Sequence, residues 1–525
     1  MSRRAALVAC VTGLLLVGAV LRVWSFEWND RVQGDIGLFA LAAREFADSG
    51  QMKYPIKYEF SDRADYCSPR SVVSQHPPLF PWAAGLLARV TPGDDTFFWL
   101  KILSELGAIL LLGWLALRAL RAPGAGSLVP LGLVVLSPAL VDFSANGSPY
   151  VWSGLLLLLA ASLIGRVPRG RIGDYVLAGA LSGLGPQLHP ALYAVPAGFL
   201  LAGAAQWRRV PLVAFGAFLA AGASVAAPWL LWNWKHFGTP LYSYSPHVLW
   251  TNLGLAREGI YGDVVSWRWA DVGWVGPLAT AARTVVESAV EMVQGLWLDA
   301  GPGGLLLAVA GALALMRVEG PRFIYRLLPL SLYLALVLPV LYRDRFVVPL
   351  LPVFYQAAGI GFAMLAVRSR ALASLLVALV VAWMSAGYFE SPPTRYYRDD
   401  APHRAAYMAM LPVARDFALL PPGTTLGASG TLDGGIAAAY YHRNLLVRGR
   451  SHGPPLESEP GDVLRKLRRD FGVRYVWADQ FTVERLEDVF PDARRVLDNG
   501  AFVVLKLPGG QVGVCDRAVV GEARS

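Results

Sequence analysis

Eleven apolar runs dominate the chain of 525 residues, and most of them are near the length of a membrane-crossing helix. Such a helix needs about 20 apolar residues, and in lipid its backbone must satisfy its own hydrogen bonds. Only 16% of the residues are charged, against about 25% in soluble domains. The pattern predicts a polytopic α-helical membrane protein with spans near 5–25, 97–117, 127–144, 150–165, 175–188, 189–206, 211–231, 303–316, 327–342, 347–367 and 371–389.

Arginines between these runs indicate the side of the membrane on which each connection lies. The six connections and ends assigned to the cytoplasm hold fourteen arginines and two acids, and cytoplasmic loops are enriched in Lys and Arg. We therefore expect a cytoplasmic N-terminus and an extracytoplasmic C-terminus. The net charge of +9 follows from these topology signals, so it points to a lipid bilayer and not to a nucleic-acid partner.

Three regions on the expected outer side are long. Loops 26–95 and 232–302 interrupt a transmembrane module that covers residues 1–389, and residues 390–525 follow it. In that tail, strand-like runs at 425–428, 445–447, 473–477 and 502–507 alternate with helical patterns at 403–420, 461–471 and 482–489. The alternation predicts an extracytoplasmic α/β domain.

The first outer loop holds a short amphipathic segment that begins at Asp35. Ile36, Phe39 and Ala40 recur at helical spacing, while Arg44 lies on the opposite side, which is typical of a helix lying in the membrane interface. Asp35 is then the N-cap of this helix. The same carboxylate can serve as a general base that faces a cavity at the membrane surface, and the two interpretations are compatible.

A second helical segment in this loop follows His76, Pro77 and Pro78. The prolines predict an extended entry into the helix. His76 is therefore either an incidental part of a structural turn or a hydrogen-bond donor to a phosphate oxygen.

Arg343 and Arg345 break the charge rule, because they lie on the expected outer side at the start of span ten. Guanidinium groups suit phosphate recognition, so both arginines are candidate phosphate ligands. The alternative is an interfacial Arg–Asp pair with Asp344 whose charged ends reach water.

Four charged or polar residues lie within or between the spans. Lys101 and Glu105 are four residues apart in span two, where they either neutralise each other or face a polar interior. Asp142, expected in a short outer loop, is a candidate second carboxylate or metal ligand. His189, at the break between spans five and six, is either a substrate contact or a satisfied polar residue.

The three cysteines have no metal-site spacing. Cys67 and Cys515 both lie on the expected outer side, so a disulfide between them is one possibility. We see no motif that requires a cofactor, and a divalent metal is conceivable but unsupported by any ligand set.

Together, these elements resemble the GT-C superfamily of polyprenyl-phosphate-sugar glycosyltransferases, in particular the branch with protein O-mannosyltransferases and aminoarabinose transferases. The resemblance covers all eleven spans. It rests on loosely matching motifs in the family's order, namely Asp35, the His76-Pro77-Pro78-Leu79 stretch, Lys101, Pro228-Trp229-Leu230 through Asn233, Phe237-Gly238-Thr239-Pro240, and Arg345-Phe346 with Pro349 and Pro352.

The resemblance implies a glycosyltransferase of the bacterial inner membrane, which moves a hexosyl or pentosyl unit from a polyprenyl monophosphate to a glycan, lipid or protein outside the cytoplasm. Asp35 is then the general base. In that mechanism Arg345, Arg343, His76 and Lys101 would bind the donor phosphate, and no metal is required. Asp142 and His189 remain candidates for a substrate contact or a second carboxylate.

The chain departs from the family pattern at two places. Ile36 follows Asp35 where many relatives have a second acid. Gln75 and His76 stand where the aminoarabinose transferases have Glu-Lys, which argues against that sugar and against a metal site built on the missing Glu. A transporter or lipid-glycan flippase is the alternative, although such proteins tend to contain internal repeats and we find none that convinces.

Overall fold

The structure, a computed structural model, is a bundle of helices joined to a small sheet. It describes residues 2–28, 34–54, 56–58, 71–72, 77–91, 95–122, 124–166, 170–241, 275–320, 322–339, 344–390, 425–429, 440, 445–448, 468–469, 472–498 and 502–508. In these ranges, a helix coincides with each of the eleven predicted runs.

The bundle is built from helices of very different lengths. In chain order they are α1 (Arg3–Trp28), α2 (Gly34–Ser49), α3 (Leu79–Val90), α4 (Thr96–Arg121), α5 (Ala125–Leu136), α6 (Pro138–Ala145), α7 (Tyr150–Ile164), α8 (Ile172–Leu188), α9 (Ala194–Ala205), α10 (Leu212–Phe237), α11 (Val275–Glu319), α12 (Arg322–Val337), α13 (Leu351–Arg368) and α14 (Arg370–Glu390). Short 3-10 turns at Pro190–Tyr193, Trp207–Arg209, Asp344–Phe346 and Val348–Leu350 connect some of them.

Six described helices are long and apolar enough to cross a membrane, namely α1, α4, α10, α11, α13 and α14. A seventh crossing results if α5 and α6, which meet at a bend of 54°, form one span. The helix α7 and the segment Pro190–Ala205 are shorter apolar helices. The polytopic helical architecture is therefore confirmed, while several of the predicted spans are shorter than a full crossing.

The predicted loop 232–302 is helical at both of its ends. Helix α10 continues to Phe237, and α11 begins at Val275 and bends at Gly301, which has φ 64° and precedes Pro302. The first half of α11 carries the exposed Arg283–Glu287 ion pair. Such charges lower its hydropathy, and the sequence therefore predicted a loop here. Residues 275–300, which precede the bend at Gly301, extend about 39 Å at 1.5 Å per residue, more than the ~30 Å apolar layer requires.

Glycines allow α11 and α13 to cross at backbone contact. A Cβ added at Gly311 would lie 1.8 Å from the carbonyl oxygen of Ala357, and one added at Gly361 would lie 1.9 Å from that of Leu307. Small residues at such crossings let helices gain van der Waals contact in a solvent that provides no hydrophobic force between them.

The sheet outside the bundle has six strands in the order β2-β5-β4-β6-β8-β7. Its strands are β2 (Ile56–Tyr58), β4 (Thr425–Ser429), β5 (Leu445–Arg448), β6 (Tyr475–Asp479), β7 (Arg494–Asp498) and β8 (Phe502–Lys506). The first four in sheet order are parallel, whereas β8 runs antiparallel to β6, and β7 runs antiparallel to β8. A separate pair, β1 (Lys53–Tyr54) and β3 (Ser71–Val72), is antiparallel.

All four strands predicted in the tail are confirmed as β4, β5, β6 and β8, and α15 (Gln480–Val489) matches the helical pattern at 482–489. Strand β7 was not predicted. Val476, Leu486 and Leu505 pack β6, α15 and β8 into one apolar cluster. Most of the patterns at 403–420 and 461–471 lies outside the described residues.

Strand β2 comes from the first outer loop and not from the tail. Ile56 pairs with Leu446, and Tyr58 pairs with Arg448. The loop and the tail therefore share one sheet, and the segment that follows α2 is hydrogen-bonded to the C-terminal strands.

We expect Gly361→Ala to destabilise the bundle, because overpacking of a close contact costs about 1–3 kcal/mol. The matched control is Gly216→Ala in α10, where nothing lies within 4 Å of an added Cβ. Thermal unfolding in detergent measures both variants. Equal melting temperatures for the two would contradict the proposed backbone contact.

Candidate functional site

Helix α2 is enclosed along its first half. Residues 37–43 are all buried, and a Cβ on Gly85 of α3 would lie 2.4 Å from the carbonyl oxygen of Ala43. On the predicted polar side, the Arg44 guanidinium lies 3.7 Å from the ring centroid of Tyr440. The helix therefore lies between other elements, where the sequence predicted an open polar face.

The turn between α6 and α7 lies against the start of α2. Gly147 has φ 87°, a conformation that favours glycine. A Cβ added there would lie 3.2 Å from Cβ of Leu100 and 3.5 Å from Cγ2 of Ile36. Because Ile36 follows Asp35 and Leu100 precedes Lys101, the backbones of two candidate site residues come close to this turn.

Lys101 is buried at the end of α1. Its ammonium group donates to the carbonyl oxygen of Phe26 and lies 4.0 Å from the Phe26 ring centroid. The last four carbonyl groups of a helix have no partner inside it, and the helix dipole favours a cation there. This contact holds Lys101 at the junction of α1 and α4.

Glu105 meets an arginine that the sequence analysis missed. Its carboxylate lies 4.0 Å from Nε of Arg22 in α1 and accepts a hydrogen bond from Ser144 at 3.0 Å. Arg22 also donates to the carbonyl oxygens of Gly18 and Val134. The sequence did contain a signal for Arg22, because it is the single charge inside the first apolar run. A charge in such a run normally faces the interior of the bundle.

Asp142 lies in α6, where its residue is 1% exposed, and not in the loop that the sequence predicted. The short run is helical because Pro138 occupies its first turn and the Ser137 hydroxyl accepts from the backbone N–H of Leu140. These are favourable helix-start signals. Asp142 therefore faces the packed interior of the bundle.

Asp299 of α11 fixes the start of α6 and was also missed. Its carboxylate accepts from the Ser137 hydroxyl at 2.9 Å, from the Ala139 amide at 3.0 Å and from the Tyr355 hydroxyl. The sequence signal for Asp299 was an acid within an apolar stretch, two residues before Gly301. Its carboxylate satisfies amide and hydroxyl donors that would be costly to leave unpaired in lipid.

An aromatic cluster joins three parts of the bundle. The ring centroids of Tyr150 and His189 are 5.5 Å apart, those of His189 and Phe346 are 5.7 Å apart, and those of Tyr150 and Phe346 are 6.3 Å apart. The Arg345 guanidinium lies 5.5 Å from the Phe346 ring centroid. Tyr150 also contacts Phe143 at 5.7 Å, which connects the cluster to α6.

The orientation of His189 follows from its backbone contact. Nδ1 accepts from the Ala191 amide at 3.2 Å, so a neutral His189 carries its proton on Nε2 and is a donor there. The structure therefore brings His189 and Arg345 to one cluster, with Asp142 on the neighbouring helix.

Several predicted site groups lie outside the described part of the chain. These are the side chain of Asp35, whose backbone is the second residue of α2, together with His76, Arg343, Cys67 and Cys515. Among the residues that the structure does describe, no three His, Cys, Asp or Glu side chains come together as metal ligands.

The fold is similar to two solved structures of ArnT from Cupriavidus metallidurans. The structure bound to undecaprenyl phosphate has a TM-score of 0.58 at 15% identity, over 96% of this chain and 98% of that chain. The apo structure has a TM-score of 0.55 at 15% identity, over 94% and 98%. This chain and ArnT therefore share a common fold. No protein-family model and no curated protein matches the sequence.

We expect Glu105→Gln to destabilise the protein strongly, because it leaves Arg22 as a buried charge without its carboxylate. Breaking a buried pair costs about 3–5 kcal/mol. Glu287→Gln, which breaks the exposed pair with Arg283, is the control and should cost less than about 1 kcal/mol. Thermal inactivation in detergent measures both, and an equally small loss would show that Arg22 does not depend on Glu105.

Proposed function

We propose that this protein is a membrane glycosyltransferase that moves a sugar from a polyprenyl monophosphate to an acceptor outside the cytoplasm. The observation that carries the proposal is the common fold, over 96% of this chain, with ArnT in its complex with undecaprenyl phosphate. The acceptor is a hydroxyl group of a glycan, lipid or protein.

The protein would act in the bacterial inner membrane with its N-terminus in the cytoplasm. The arginine-rich connections support this orientation, because positively charged loops remain on the cytoplasmic side. The first loop, the Arg345 segment and the C-terminal sheet then all lie on the outer side. The C-terminal domain, completed by β2, would cover the site and help to position the acceptor.

The donor phosphate would bind between α4 and the segment before α13. Lys101 is buried at the end of α1, and Arg345 lies beside the Tyr150–His189–Phe346 cluster. Cations in such a low-dielectric site stabilise the charge that develops on a leaving phosphate. Arg343 and His76 complete the set predicted from the sequence, and the Nε2 proton of His189 is a further donor.

The reaction is a single displacement. The acceptor oxygen forms a bond to the anomeric carbon while the bond from that carbon to the phosphate oxygen breaks, and its electron pair remains on the polyprenyl phosphate. Asp35 takes the hydroxyl proton late in the reaction, a contribution of about 10²–10⁴-fold. The anomeric centre inverts, and no step requires a metal ion. Asp142 of α6, the helix that precedes the turn at Gly147, is a candidate second carboxylate.

Asp35→Asn tests the general base. We expect the variant to fold, to bind undecaprenyl phosphate like the wild type, and to lose about 10²-fold or more in kcat. Release of polyprenyl phosphate from a polyprenyl-phosphate-linked sugar, in proteoliposomes that contain a hydroxyl acceptor, measures the rate.

Asp48→Asn is the matched control, because Asp48 is an exposed acid near the other end of α2. It should retain the wild-type rate. If Asp35→Asn is as active as this control, Asp35 is not the base.

Arg345→Gln tests phosphate recognition. Loss of a charge-assisted contact of about 1.5–3 kcal/mol should weaken undecaprenyl phosphate binding by roughly tenfold or more. Arg322→Gln, at the start of α12 and exposed, is the control. Equal affinities of the two variants in a lipid-binding titration would exclude Arg345 as a phosphate ligand.

The alternative of a transporter or flippase has a separate readout. A flippase would move the intact sugar-linked lipid between leaflets without releasing free polyprenyl phosphate. Movement of a labelled lipid without release, with every sugar donor tried, would overturn the proposed function.

A further inference from the structure

Tyr440 connects the C-terminal domain to the membrane bundle. It lies between β4 and β5, and its side chain reaches the start of α4, where it is 3% exposed. The Tyr440 hydroxyl donates to Oδ1 of Asp95 at 3.0 Å and accepts from the Phe97 amide at 3.0 Å. Asp95 is the N-cap of α4 and also accepts from the Phe98 amide. Tyr440 thus supplies part of the cap of α4 from a distant part of the chain.

The same tyrosine reaches α2 by two routes. The Thr96 hydroxyl lies 3.3 Å from the Tyr440 hydroxyl and donates to the carbonyl oxygen of Ala40 at 3.2 Å. The Arg44 guanidinium lies 3.7 Å from the Tyr440 ring centroid, a distance typical of a cation–π contact. Because Ala40 and Arg44 are one turn apart, both routes meet the same face of α2.

These contacts remain through the ordinary pH range. Burial raises the pKa of Tyr440 to about 12, so its hydroxyl proton is present at neutral pH. That pKa exceeds the value of about 10 for a tyrosine in an unfolded chain. The contribution of Tyr440 to the free energy of unfolding is therefore complete below about pH 10, and it is lost as the pH rises through about 12.

A second contact holds the chain beyond α2. Strand β2 begins seven residues after α2 ends and pairs with β5, which itself begins five residues after Tyr440. The C-terminal domain therefore holds the side of α2 through Tyr440 and its outgoing chain through β5. Helix α3 holds the face of α2 at Ala43 through Gly85.

We propose that Tyr440 is a positioning residue, which holds α2, and with it Asp35, against α4 at the reacting end of the site. The inference rests on the proposed function, because Asp35 is the base only in that mechanism. Lys101 and Arg345 have separate contacts with α1 and with Phe346. Tyr440 therefore affects the chemical step more than it affects donor binding.

Tyr440→Phe is the primary test, because it removes the hydroxyl and keeps the ring over Arg44. Loss of a hydrogen bond worth about 1 kcal/mol should increase the opening of α2 and lower kcat about fivefold, while the KM for the donor changes less than about twofold. Tyr440→Ala should lower kcat further. Tyr475→Phe, a partly buried tyrosine of β6 in the same domain, should match the wild type.

Hydrogen exchange of the amides of α2 gives a readout that is independent of catalysis. We expect α2, together with the first turn of α4 that Tyr440 caps, to exchange faster in Tyr440→Phe than in Tyr475→Phe, with the other helices unchanged. Unchanged exchange in α2, or faster exchange with an unchanged kcat, overturns the positioning role. A kcat loss that only follows a lower melting temperature also overturns it.

The two proposals fail in different ways. If the wild-type protein transfers no sugar from any polyprenyl phosphate donor, the proposed function fails. In that case the exchange of α2 still decides whether Tyr440 holds it. If the wild type is active and Tyr440→Phe is equally active, only the positioning role fails.

Discussion

A bilayer interior contains no water to satisfy polar groups, and the architecture of this bundle depends on how its interrupted helices meet that constraint. The chain breaks between α5 and α6 at Ser137 and bends in α11 at Gly301. Asp299, next to the second break, accepts from the donors at the first. The carboxylate beside the bend of α11 thus pairs with the donors at the break between α5 and α6. This makes the 54° bend between α5 and α6 compatible with a lipid environment.

The same constraint gathers the charged residues of the site. Lys101 binds a carbonyl at the end of α1, and Glu105 lies beside Arg22 and Ser144. Each charge is held where helix ends or a second charge compensate for lost hydration. A bundle built in this way has polar groups fixed by backbone geometry at one junction, and the glycosyl transfer that we propose would use such fixed groups to stabilise a leaving phosphate.

The sheet adds a connection between the parts of the chain on the expected outer side. Because β2 belongs to the first loop and pairs with β5, the loop that carries α2 cannot move independently of the tail without breaking strand pairs. Tyr440 strengthens this connection by capping α4 and covering Arg44. The C-terminal strands and Tyr440 therefore hold α2, although they lie hundreds of residues away from it in the sequence.

The sequence by itself determined the helical membrane fold, the positions of the helices and most of the C-terminal strands, because hydropathy and periodicity are local properties. It also singled out Lys101, His189 and Arg345, since a charged or polar residue next to an apolar run is visible without a structure. The helix that contains Asp142, the role of Asp299, the partner of Glu105 and the contacts of Tyr440 were decided only by the tertiary structure. Each of these depends on which distant element supplies a hydrogen bond or an opposite charge, and no local pattern encodes that choice.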